Sequence, residues 1–105
     1  MKATPAQIGR ARKRLQDCRH TETRASEREI VARRRVRETA DKYIQCKERG
    51  KPDNMSETAY ISKKRKLHAE WEKAKTRGDT AYWKFRSASD KRKEAERQYD
   101  KLVKK

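Results

Sequence analysis

The sequence predicts an all-α fold, a long antiparallel two-helix coiled-coil hairpin with an alanine-rich seam. Three observations predict it. Apolar and small residues recur at alternating three- and four-residue steps along two stretches. Helix start and stop signals bracket those stretches, and no proline interrupts either one.

The first element starts in TPAQ. Thr4 is placed as N-cap, Pro5 at the first helical position and Gln7 three residues after the cap, which is a capping-box pattern. It stops in ERGKPDN, where Gly50 suits the left-handed residue that ends a helix and Pro52 follows. NMSE then supplies Asn54 as a second cap, with Glu57 reaching back. These signals predict helices over about 5–49 and about 55–103, joined by a turn over about 50–54, so that residues 1–105 form a single hairpin. Gly78 is expected to sit inside a continuous second helix, because the heptad phase is unchanged across it.

The periodicity gives the seam. In helix one it runs Ile8, Ala11, Leu15, Cys18, Glu22, Ala25, Glu29, Ala32, Val36, Thr39, Tyr43, Cys46. In helix two it runs Tyr60, Lys64, Leu67, Trp71, Ala74, Gly78, Ala81, Phe85, Ala88, Arg92, Ala95, Tyr99, Leu102. Folding the chain at the turn is expected to pair residues whose numbers sum to 106 or 107. That register sets Cys46 on Tyr60, Val36 on Trp71, Glu22 on Phe85 and Gly78 opposite Glu29. Helices of about 45 residues would give a rod roughly 65 Å long. Its thin seam, carrying Glu22, Glu29, Lys64 and Arg92, predicts marginal stability and possible dimerisation into a four-helix bundle.

Composition bounds the function. Of the 105 residues 31% are hydrophobic and 46% charged, and the net charge is +16, which leaves too little for a compact globular core. The charge is spread along the chain, with 15 basic and 7 acidic groups in residues 1–50 and 17 and 9 in residues 51–105. A field of this sign points to an acidic partner, most often nucleic acid. The sequence shows no membrane-span run and no signal-peptide core, so a soluble, cytoplasmic or nucleoid-associated protein is expected. Cys18 and Cys46, 28 residues apart on one helix, cannot bridge within the chain.

The flanks of the seam locate the charge. At seven-residue steps on one side of helix one stand Arg14, Thr21, Arg28, Arg35, Lys42 and Arg49. The matching side of helix two carries Lys63, Glu70, Arg77, Lys84, Lys91 and Gln98. The expected register pairs Arg14 with Lys91, Arg28 with Arg77, Arg35 with Glu70 and Lys42 with Lys63, so that three of the four pairs repel. Coiled coils ordinarily place opposite charges here, and each like-charge contact costs a few tenths of a kcal/mol. The alignment reads as a basic ridge kept for anion binding. Arg33 falls on the other flank with Arg12, Arg19 and Lys47, and Arg34 lies beside it in ARRRVRET. Residues 1–50 hold 11 Arg and 4 Lys whereas the chain from Lys51 holds 5 Arg and 12 Lys, which makes helix one the side for close, forked phosphate contact.

Trp83 in AYWKF points away from the seam beside Lys84 and Arg86 and is a candidate partner contact, as are Ile30 and Val31. His20 and His68 stand far apart with no clustered cysteine, so neither a metal nor a cofactor is expected. No Ser-His-Asp order, paired-carboxylate cleft or Gly-rich phosphate loop is present, and no enzyme activity is expected. The tip RGKPDNMSETAY, with Asp53 and Glu57, resembles the hairpin tips of transcript-cleavage factors. Turn and cap roles account for both residues, and the architecture is similar to the basic arms of seryl-tRNA synthetases only in outline.

The expectation is therefore a non-enzymatic basic hairpin that binds DNA or RNA through the phosphate backbone with little sequence specificity. The alternative is a small accessory protein, such as a phage-type inhibitor, adaptor or scaffold, docking on an acidic protein or ribonucleoprotein surface.

Overall fold

The computed structural model describes residues 2–104, and its two elements are α1 (Pro5–Arg49) and α2 (Glu57–Val103). The capping box forms as the sequence predicts. The Gln7 backbone N–H donates to Thr4 Oγ1 at 3.2 Å, and the Thr4 N–H donates to Gln7 Oε1 at 2.9 Å. At the other end of α1, Gly50 adopts a φ of 69°, a conformation that costs glycine nothing and a side-chain-bearing residue about 1 kcal/mol or more.

The start of α2 differs from the expectation. Asn54 lies in a turn closed by a hydrogen bond from the Met55 N–H to the Pro52 carbonyl, 3.1 Å. Ser56 is the cap instead. Its Oγ accepts from the Ala59 N–H at 3.2 Å, and its carbonyl accepts the first helical bond from Tyr60 at 3.0 Å. The proline turn takes up Asn54, so the next residue with a short acceptor side chain starts the helix. α2 then runs unbroken through Gly78.

The chain divides into two compact units, each combining a segment of α1 with a segment of α2. The terminal unit comprises the residues up to Glu29 and those from Ala81 onward; the turn unit is Ile30–Thr80. In both, every residue assigned to the seam from sequence is buried or half-buried. Three of the four buried hydrophobic residues are alanines, Ala74, Ala88 and Ala95, with Leu15 the fourth. Small side chains allow the helix backbones to approach closely, at the cost of little apolar area for each turn. No buried side-chain polar atom among the described residues lacks a partner.

The register departs from the expected one. In the terminal unit, Glu22 meets Arg92 rather than Phe85. In the turn unit, Tyr43 stacks on Trp71 in the place expected for Val36, and Val36 packs on Gly78 in the place expected for Glu29. Each of these partners is displaced by seven residues. Part of the reason is geometric. Side chains lean toward the N-terminus of their own helix. In an antiparallel pair they therefore lean toward each other when the residue on the first helix lies nearer the turn than the level of its partner's Cα. The Tyr60–Cys46 pair keeps the expected numbers because the contact is made by the Cys46 carbonyl, which points toward the C-terminus of α1. The Tyr60 hydroxyl donates to it at 3.1 Å.

Candidate nucleic-acid interface

The terminal unit holds its polar seam residues in a network. Arg92 Nε donates to Glu22 Oε1 at 3.1 Å, its Nη2 donates to Oε2 at 3.3 Å, and its Nη1 donates to Glu96 Oε2 at 2.7 Å. The Glu22 and Arg92 side chains are 21% and 25% exposed, so water screens the pair only in part. Burial by itself would raise the Glu22 carboxyl. Hydrogen bonds from Arg92 and Ser89, with the charges of Arg92 and Lys93, outweigh it and hold the group below the ordinary carboxylate value. Hydrogen bonds to Glu22 and Glu96 push the Arg92 guanidinium up. Arg92 and Glu22 are thus structural and do not belong to an open anion site.

The turn unit is held differently. Tyr43 and Trp71 stack with centroids 5.8 Å apart at 24°, and His68 meets both edge-on at 5.2 and 5.8 Å. The Lys75 ammonium sits over the Trp71 ring at 4.2 Å and the Lys47 ammonium over Tyr43 at 5.5 Å. His68 Nε2 lies 3.6 Å from the Glu72 carboxylate. His68, one of the two histidines weighed for metal, is built into an aromatic cluster.

The two flanks of the seam differ. On the flank that carries Arg12 and Lys47, the basic residues Arg12, Arg19 and Lys47 are exposed, and only some of the other residues are drawn into the protein. Arg12 approaches the Tyr99 hydroxyl at 3.5 Å, and Ser26, Ala40, Lys75, Ser89 and Glu96 are half-buried. Arg33 on this flank and Arg34 beside it are exposed. On the opposite flank every residue is exposed. In the terminal unit these are Arg14, Thr21, Arg28, Lys84, Lys91 and Gln98; in the turn unit they are Arg35, Lys42, Arg49, Lys63, Glu70 and Arg77. Arg14 Nη1 donates to Gln98 Oε1 at 3.0 Å, which replaces the expected pairing with Lys91. A displacement of the same size would set Arg28 level with Lys84, Arg35 with Arg77 and Lys42 with Glu70. Among the described residues no ion pair is made by Arg28, Arg35, Lys42, Arg49, Lys63, Arg77, Lys84 or Lys91; the acids engage Lys75, Arg92, Arg97 and His68 instead.

The structure gathers some of these cations around surface hollows. Arg14 and Lys91 join Arg10 and Lys13 around one of about 410 Å³ in the terminal unit. Lys42, Arg49 and Lys63 surround one of about 360 Å³ in the turn unit. Sequence periodicity alone did not reveal either hollow, since they form where the small residues Cys18, Ala88 and Cys46 leave the groove unfilled. Trp83 is 66% exposed, in edge contact with Tyr82 at 5.5 Å, and Ile30 and Val31 are 50% and 60% exposed. Both cysteines are free, and no helix of the described residues is long and apolar enough to cross a membrane.

Comparison with protein-family models, with curated proteins and with solved structures finds no match to this chain.

Proposed function

We propose that this protein is a non-enzymatic helical hairpin that binds nucleic acid through its phosphates, using the exposed cationic flank of each unit. One observation carries the reading. Among the described residues the cations of this flank make no ion pair, whereas Arg92, Lys75 and Arg97 elsewhere on α2 engage Glu22, Glu96, Glu72 and Glu94. Like charges placed side by side and unneutralised lower the stability of the free protein. Their benefit comes when they take the place of the counterions condensed on the phosphates of a nucleic acid and release them. Arg14, Arg28, Arg35 and Arg49 of α1 supply forked donors, and Lys63, Lys84 and Lys91 of α2 supply point charges. Such contacts position a backbone and read no bases, so affinity falls steeply with salt and varies little with sequence.

A second reading is favoured by Trp83. A tryptophan this exposed beside Tyr82 is an anchor for a protein surface, as in an inhibitor, adaptor or scaffold. Affinity capture from lysate, with and without nuclease, separates the two. Loss of all captured partners after nuclease supports nucleic acid, and a partner that persists and is released by Trp83→Ala supports protein docking. Titration of a duplex and a single strand across a salt series supplies the direct test. Binding that is site-specific and persists at high salt rules the phosphate reading out.

A further inference from the structure

The hollow of the turn unit has a composition that phosphate contact alone does not require. Its floor is apolar and aromatic, made by Tyr60, Leu67 and Cys46, and its rim carries the Lys42, Arg49 and Lys63 cations and the Gln45 amide, with no acidic residue. Tyr60 is held in place. Its hydroxyl donates to the Cys46 carbonyl, and the Lys64 ammonium sits 5.2 Å from its ring centroid. The volume, about 360 Å³, lies in the range of small-ligand sites.

We infer that this hollow takes one unpaired nucleotide of a single strand, with the base against Tyr60 and Leu67 and the flanking phosphates on Lys42, Arg49 and Lys63. The inference rests on the phosphate-binding reading above and specifies the form of nucleic acid it prefers. A fixed aromatic ring beside a cationic groove is the combination by which proteins hold single strands, because every base has a face to pack and every linkage a charge. The Gln45 amide, donor and acceptor together, suits the exposed edge of an unpaired base. A duplex keeps its bases stacked inside and presents only phosphates to the rim. The terminal unit's hollow does not carry the same inference, because its lining includes Asp17 and no aromatic residue.

The test measures binding of a short labelled single strand and of a duplex of the same length at one salt concentration. The parent is expected to prefer the single strand. Tyr60→Leu is expected to lower the ratio of single-strand to duplex affinity about tenfold, and Tyr60→Phe to restore it, since base packing on an aromatic ring has roughly that magnitude. A ratio unchanged in Tyr60→Leu overturns the inference while leaving phosphate binding intact. Should the parent bind neither probe, the phosphate reading itself fails. Because Tyr60→Leu also removes the bond to Cys46, photocrosslinking of the parent to a single strand containing 5-iodouridine gives a second readout. A crosslink at Tyr60 supports the site, and crosslinks confined to Tyr82 or Trp83 overturn it.

Discussion

The terminal unit and the turn unit share one heptad pattern and hold their helices together by different chemistry. The terminal unit uses its one large buried apolar side chain, Leu15, with Ala88, Ala95 and the Glu22–Arg92–Glu96 network. In the turn unit half-buried Tyr43 and Trp71 stack with exposed His68 edge-on to both, and the Lys47 and Lys75 ammonium groups lie over the two stacked rings. In a chain with so few apolar residues, a seam can be completed either by pairing charges or by laying aromatic area under cations. The first makes a carboxylate part of the contact between the helices, whereas in the second the carboxylate, Glu72, pairs only within its own helix and at the surface.

Removing Leu15 takes away the one large buried apolar side chain among the described residues of the terminal unit. Leu15→Ala is expected to cost about 2–3 kcal/mol, since the side chain is only 4% exposed and its loss leaves a cavity. Urea unfolding followed by circular dichroism measures the loss. Amide exchange locates it, with protection expected to fall first in residues before 30 and after 80. A uniform loss of protection would show that the two units unfold as one.

The two helical glycines offer a sharper comparison. A Cβ added at Gly9 meets nothing within 4 Å, so Gly9→Ala is expected to stabilise by about 0.5–1 kcal/mol through helix propensity. A Cβ at Gly78 would lie 3.2 Å from Val36 Cγ2. Valine in a helix is confined largely to one χ1 rotamer and yields poorly. Gly78→Ala is expected to gain nothing alone, and to gain about as much as Gly9→Ala when measured in a Val36→Ala background. Thermal melts of the four variants check this.

Titration of Glu22 gives a smaller effect confined to the terminal unit. The carboxyl is depressed in the folded state, so its contribution is fully present above the unfolded value of 4.5 and disappears as the pH falls through the folded value. Melting temperature should therefore drop below pH 4.5, and Glu22→Gln should start lower at neutral pH and drop less. Lys75 depresses Glu72 as well, but within one helix and at the surface where water screens the pair, so Glu72→Gln should change the acid limb of the profile less than Glu22→Gln does.

Much of the fold was legible because it depends on local signals. The Thr4–Gln7 box, the Gly50 stop, the continuity through Gly78 and the membership of the seam all appear as the sequence predicts. The register was not legible from periodicity, since sliding one helix by a heptad preserves every seam position. It was legible in the exceptions. Glu22 and Arg92 are opposite charges on two seams, and Val36 and Gly78 are a branched side chain and a gap. Matching these two pairs selects the observed displacement, whereas reading the polar seam residues only as weaknesses concealed it. The flank cations were legible as exposed. The hollows were not, because their shape depends on where small residues of both helices coincide.

The corrected register moves the test of the cationic flank to one pair inside the turn unit, Arg35 and Arg77. Both are exposed, neither is in an ion pair among the described residues, and a displacement like that of Arg14 would set them at the same level. Replacing both by glutamine preserves helix propensity and removes their repulsion, so the free protein should gain a few tenths of a kcal/mol. Added salt should stabilise the parent more than the variant, because ions screen a repulsion that the variant lacks. Nucleic-acid affinity should move the other way, with the slope of log affinity against log salt reduced by about two if both side chains neutralise phosphates. Arg28 and Lys84 provide the parallel pair in the terminal unit. Equal losses from the two pairs would mean that both flanks engage phosphate alike, and a larger loss from Arg35 and Arg77 would place the main contact beside the hollow of the turn unit. A double variant that gains stability and binds as tightly as the parent would reduce the flank to a solvated surface.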